Sequence, residues 1–158
     1  MSDYKDSYLS QLRKLVGDKK VIITSARAVV RDSFGRVLFI RRSDNHTWGM
    51  PAGSQEVNES ILECLFREVK EETGLDVISA KPMAIYSNLS IETAFGDPYQ
   101  VFVLQFLVDE WEGDLVTETD ETIDARFFYL NDLPAEIPEF YQMVIDDLRN
   151  YTGNLILK

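Results

Sequence analysis

Apolar positions recur at two different spacings along the chain, and the alternation between them lays out the elements. In "YLSQLRKLVGDKK", Leu9, Leu12, Leu15 and Val16 fall at helical intervals that would cover the core. This predicts an N-terminal helix over about residues 3–17 that stops at Gly17. "VIITSARAVVRDSFGRVLFIRRS" reads as two apolar strands around a turn at Asp32–Gly35, where glycine can take positive φ. Residues 43–58, "SDNHTWGMPAGSQEVN", are dense in turn formers and read as one long loop. A helix from about Asn58 to Thr73 follows, with Asn58 as N-cap and Leu62, Leu65, Phe66 and Val69 as its apolar stripe. Extended segments come next: "LDVISAKPMAIYSNLSI", then "YQVFVLQFLVDEW" after an "FGDP" turn, then "DARFFYL". "EGD" at 112–114 suits a hairpin connection. A last helix over about 138–152 opens at Pro138 and puts Phe140, Met143, Val144, Leu148 and Tyr151 on one side, with Gly153 as its end. The order is helix, two strands, helix, several strands, helix, which is a mixed α/β sandwich rather than a βαβ repeat.

Composition narrows the class. With 158 residues, 45% hydrophobic and 11% aromatic, the chain suits one domain over 1–158. There are 27 acidic residues against 16 basic, a net charge of −11, so a nucleic-acid partner is disfavoured. A small anionic substrate stays open, because a metal ion can neutralise charge inside a site. The single cysteine, Cys64, excludes an intramolecular disulfide. The start lacks the apolar stretch of a secretory signal and no run approaches a membrane span, so the chain reads as cytoplasmic.

One stretch breaks a local rule. "REVKEETG", residues 67–74, ends a helix at Gly74, yet crowds Glu68, Glu71 and Glu72 where the helix backbone is already negative. Spaced three and four apart, the three acids share one face at the edge of the core. Carboxylates converging there repel one another unless a cation joins them. Oxygen donors without thiolate or imidazole favour Mg²⁺, with Mn²⁺ as the alternative. Mg²⁺ leaves positions for water and phosphate oxygens, so a phosphate ester or anhydride is the natural substrate.

The same residues carry a resemblance. "GSQEVNESILECLFREVKEETGL", residues 53–75, resembles the signature of the Nudix (MutT-like) hydrolases: Gly, five residues, Glu, seven residues, Arg-Glu-hydrophobic, any residue, Glu-Glu, any residue, Gly-hydrophobic. Gly53, Glu59, Arg67, Glu68, Val69, Glu71, Glu72, Gly74 and Leu75 fill every fixed position. The resemblance implies an α/β/α sandwich around a mixed β-sheet and hydrolysis of a nucleoside diphosphate linked to another moiety. It implies that Glu68, Glu71 and Glu72 hold the metal with the carbonyl of Gly53, and that one of them, most often Glu68, is the base. Arg67 would orient the glutamates and pair with Glu59. Two positions depart from the usual pattern, Ala52 and Asn58, each standing where the family often has glycine; asparagine tolerates the left-handed conformation.

Candidates outside the box are weaker. Arg41 and Arg42 could grip phosphate through forked hydrogen bonds or be solvated strand-end charges, and Ala52 could touch substrate. Glu121 is the candidate for a further carboxylate, against an exposed acidic turn in "TETDET". His46 reads as a polar loop residue, Trp48 as packing under the loop, and Cys64 as a small buried hydrophobe. Tyr86, Tyr99 and Phe102 could stack a base or belong to the core. Marks of particular subgroups are missing, since Ser90 stands where ADP-ribose hydrolases tend to carry proline and Ile91, Glu92 and Thr93 where dinucleoside polyphosphate hydrolases carry tyrosine. The expectation is therefore a nucleoside triphosphate, ordinary or oxidised, cut to monophosphate and pyrophosphate, with ADP-ribose or a nucleotide sugar as the alternative. A non-catalytic nucleotide sensor would be expected to lose box glutamates, and none is lost. Monomer and homodimer both remain open.

Overall fold

The computed structural model describes residues 6–92 and 98–158. The start of the first helix and all of the "FGDP" turn except Pro98 lie outside them. Helix α1 (Tyr8–Val16) begins where Ser7 caps the Ser10 amide and ends at Gly17, which takes φ 67°. Leu9 is buried, but Leu15 is 85% exposed rather than covering the core. Six residues on from Leu9, it lies about 120° round the helix.

Strands β1 (Val21–Val30) and β2 (Val37–Arg42) form as expected, and Gly35 sits at φ 75° in the turn between them. Asp32 organises that turn by accepting the amides of Phe34 and Arg36. The two strands do not form a hairpin ladder. They touch through the single bridge Arg31–Val37 and then enter different sheets. The loop expected at 43–58 contains two short strands, β3 (Trp48–Gly49) and β4 (Ala52–Ser54), too short for any period to show. Between these and the last helix lie α2 (Ile61–Thr73), β5 (Asp76–Glu92), β6 (Pro98–Glu112) and β7 (Thr122–Phe128). Helix α3 (Tyr141–Arg149) and β8 (Ile156–Leu157) complete the chain.

The sheet in order β4-β1-β6-β5-β8 is mixed: β1 runs parallel to β6, β5 parallel to β8, and the other pairs are antiparallel. A second, antiparallel sheet has the order β3-β2-β7. "EGD" is therefore not a hairpin. At Gly113 (φ 92°) the chain leaves the first sheet and crosses to the second. The mixed α/β architecture holds, with a second sheet added to the expected one.

Two cores follow from this. Alternate residues of β1 and β2 face opposite ways, so both strands bury apolar residues on both faces. Ala26, Ala28, Val30, Leu38 and Ile40 meet Cys64, Leu65 and Val69 of α2. Val29, Val37 and Phe39 meet Trp48, Met50, Tyr86 and α3. Helix α3 is shorter than expected: Pro138 accepts the Tyr141 amide in a turn ahead of it, and the helix ends before Gly153. Its buried side is Tyr141, Val144, Ile145 and Leu148, whereas Met143 is 40% exposed.

Candidate active site

The N-cap of α2 is Ser60, not Asn58. Ser60 accepts the Glu63 amide, and the Glu63 carboxylate accepts the Ser60 amide, a reciprocal capping box. Asn58 instead takes φ 65°, the left-handed turn its side chain tolerates. Gly74 closes the helix in the left-handed conformation, and Lys70 donates to its carbonyl and to Asp76, adding the positive charge that this helix end favours. The expected apolar stripe is only half right. Leu62 and Phe66 are exposed, and the buried side is Cys64, Leu65, Glu68, Val69, Glu72 and Thr73. Two of the acids are thus on the inner face itself rather than beside it.

What holds carboxylates there is a network of donors. Arg67 forks onto Glu59 (Nε–Oε1 2.6 Å, Nη2–Oε2 3.0 Å) and reaches Glu68 at 2.5 Å and Glu71 at 3.4 Å. It also donates to the Ser54 carbonyl, tying helix to β4. Glu72, 1% exposed, accepts the Ala52 amide at 2.9 Å and has Arg42 Nη1 at 4.0 Å. Gly53 lies so close to Glu68 that a Cβ there would overlap the carboxylate. Its carbonyl accepts from Ser25 Oγ at 2.8 Å.

Burial dominates the electrostatics. It pushes Glu68 up to about 7, with Arg67 opposing and Glu71 and Glu121 adding to the rise. Glu72 is raised well above the ordinary range by burial and then by Glu68, against Arg42 and the Ala52 amide. Burial also pushes the Cys64 thiol up to about 12, so it is an inert core group, as its position suggests. At Glu59 burial pushes the carboxyl up, but the Arg67 hydrogen bond and charge together with the Glu56 amide outweigh it and hold the carboxyl below the ordinary range. At Arg42 burial opposes the charge, but Asp44 and Glu72 keep it firmly protonated.

Among the described residues, no three acidic, histidine or cysteine side chains converge tightly enough to cage a metal as they stand. Arg67 holds Glu68 and Glu71 in its own hydrogen bonds. The donor set nevertheless fits a hard divalent cation: carboxylates and a glycine carbonyl, with burial raising the proton affinity of the two inner acids.

The other candidates divide. Arg42 is brought to Glu72 and also forks onto Asp44, whereas Arg41 donates to the His46 carbonyl and stays with the loop. Glu121 is exposed, its loop pinned by the Ser43 amide, and its charge reaches both Glu68 and Glu72. His46 is an exposed loop residue at φ 59°, and Trp48 is buried edge-on to Phe128. Tyr86 belongs to the core, Tyr99 packs against it part-buried, and Phe102 is 36% exposed. Sequence reading missed the roles of Ser25 and of the Ala52 amide. A serine inside an apolar strand was the available signal for the first, and a main-chain donor leaves none for the second.

Residues 22–148 match the NUDIX domain model. The chain belongs to the Nudix family. It is 31% identical over 122 residues to the ADP-ribose pyrophosphatase of Methanocaldococcus jannaschii, covering 75% of this chain and 69% of that protein. To a MutT-like protein of Streptomyces ambofaciens it is 38% identical over 81 residues, 51% of this chain and 52% of that one. It therefore spans about half the length of that Nudix relative. The crystal structure of a MutT protein from Methanosarcina mazei superposes with a TM-score of 0.68 at 25% identity, covering 85% of this chain and 99% of that one. No helix among the described residues is long and apolar enough to cross a membrane.

Proposed function

We propose that this Nudix domain hydrolyses a nucleoside diphosphate linked to another moiety, using Mg²⁺ held by Glu68, Glu71, Glu72 and the Gly53 carbonyl. The observation that carries this reading is the pair of buried carboxylates, Glu68 and Glu72, on one helix face against the Gly53 loop. When bound, the cation would supply charge neutralisation for the phosphate oxygens and the leaving group.

The chain's own residues do the rest. Glu68, with its affinity for protons raised to about 7, is matched to taking a proton from water near neutral pH. Arg67 fixes the rotamers of Glu68 and Glu71, and Glu59 fixes Arg67. The Ala52 amide aims Glu72. Arg42, beside Glu72, is placed to exchange Asp44 for a substrate phosphate, and Glu121 adds a third approach of negative charge from the facing loop.

A nucleoside triphosphate, ordinary or oxidised, is the substrate this reading names first. The likeness to an ADP-ribose pyrophosphatase supports ADP-ribose as the second. The acidic surface weighs against long nucleic acids. The test is product chromatography after incubation with Mg²⁺, or with EDTA, and a panel of triphosphates, oxidised triphosphates, ADP-ribose, nucleotide sugars and dinucleoside polyphosphates. Metal-dependent cleavage at a diphosphate linkage is expected. Silence across the panel, with Mn²⁺ also tried, would overturn the reading in favour of a nucleotide sensor.

A further inference from the structure

The core beside α3 contains a charge that the packing does not explain. Arg27, in the apolar run of β1, is 4% exposed. Its Nη1 is buried without a hydrogen-bond partner among the described residues, and no ion pair there meets its charge. Its guanidinium instead lies over two rings, 5.5 Å from the centroid of Phe140 and 5.1 Å from that of Tyr141. A buried cation stabilised only by ring faces is costly unless something further pairs with it.

Gln105, directly across on β6, is fully buried and is the second anomaly. Its Nε2 donates to the Arg27 carbonyl at 3.3 Å, which fixes the amide and leaves Oε1 as a buried acceptor with no donor among the described residues. The two strand neighbours therefore offer one unused charged donor and one unused acceptor side by side, walled by aromatic rings. Asp147 does not answer the charge, because it is already taken by Tyr86 (2.9 Å) and Lys158 (2.8 Å).

The position relative to the carboxylates gives the pair meaning. Arg27 is paired across the β1–β4 ladder with Ala52, the residue whose amide holds Glu72. One strand spacing, about 5 Å, separates the two backbones. Tyr141 extends the connection, since its ring lies under Arg27 while its hydroxyl accepts the Met50 amide on the same loop. Phe140 is the cover. It is half-buried, and it stands at the start of α3 without a side-chain cap.

Resting on the hydrolase reading above, we propose that Arg27 and Gln105 are the recognition pair for the substrate's nucleobase, which enters between the sheets with the Phe140 ring displaced. The chemistry specifies the edge. A charged donor beside an amide acceptor complements a carbonyl oxygen next to a ring N–H, the lactam edge of a keto base, and the flanking rings suit a planar group. A base lacking that edge leaves both groups buried and unpaired, the arrangement that discriminates most strongly.

Calorimetric titration with inosine monophosphate and with purine riboside monophosphate, which lacks the carbonyl and the N–H, tests this without requiring turnover. The wild type is expected to bind the first at least about 20-fold more tightly, and Gln105→Leu and Arg27→Met to compress that ratio below about 3-fold. Arg27→Lys, which keeps the charge and loses the fork, replaces Arg27→Met if the latter does not fold. Equal binding of both ligands by the wild type, binding of neither, or a ratio unchanged in the variants would each overturn the assignment. So would inorganic phosphate competing for the pair as strongly as the nucleotide, which would make Arg27 an anion site. Turnover on the substrate panel is read separately, so a failed hydrolase reading and a failed base subsite give different results.

Discussion

Arg67 and Arg27 are both drawn into the protein, and they are opposites. Arg67 touches three carboxylates and a main-chain carbonyl, while Arg27 has two aromatic rings and a buried nitrogen with nothing to donate to among the described residues. The first is surrounded by more negative charge than it can neutralise, the second by none that is free. On the readings proposed above, the first imbalance suits a cation beside the glutamates and the second an acceptor beside Arg27. An incomplete charge account is thus informative about what a site takes up.

The largest expected effect comes from deleting the buried acid. Glu72→Gln should lower Mg²⁺-dependent kcat by at least ~1,000-fold in steady-state assays. Because Glu72 is already biased towards its neutral form, the variant's Tm in EDTA should equal or exceed the wild type's. Retained activity would remove Glu72 from the metal site. Arg67→Met should follow, with kcat down by ~100-fold and stability reduced by about 2 kcal/mol in urea titration, since Glu59, Glu68 and Glu71 lose a shared partner.

A pH titration is the next most sensitive probe. Folded Glu68 keeps its proton up to about pH 7, whereas an unfolded glutamate releases it near 4.5. Its contribution is therefore fully present below that lower value and is lost as pH rises through about 7. Metal-free protein should lose about 3 kcal/mol, on the order of 10 °C in Tm, across this interval. The stabilisation gained on adding Mg²⁺ should grow over the same range, and a Tm in EDTA that rises with pH there would contradict the assignment. The smallest effect should be on stability in Arg27→Met: within about 1 kcal/mol of wild type, because an apolar side chain of similar length replaces an unpaired charge. A loss as large as that of Arg67→Met would mean that Arg27 is structural after all.

The contrast also marks what could be read before the fold was known. Glu68, Glu71 and Glu72 were legible because helical spacing alone puts them together, and Gly35 and Gly74 because positive φ is a property of one residue. The separation of β1 and β2 into two sheets was not, since the turn between them is compatible with a hairpin and tertiary pairing decides. The two- and three-residue strands β3 and β4 carry no period to detect. Ser60 was passed over for Asn58 because both are good caps, and the reciprocal Glu63 bond settles the choice. Arg27 and Gln105 were invisible as a pair, since nothing local relates residues 78 apart.

That separation governs how the protein comes into being. Every residue of β1, from Val21 to Val30, pairs in parallel with a residue of β6 the same 78 positions later. Non-local parallel pairing of this kind slows folding, because a long loop must close before its contacts form. At ribosomal speeds of about 5–20 residues per second, each residue of β1 waits roughly 4–16 s for its neighbour on β6 to be made. During that interval one long edge of β1 has no strand to pair with. The nascent chain therefore holds a finished α2 on an unfinished sheet, and this window is where chaperone dependence should concentrate.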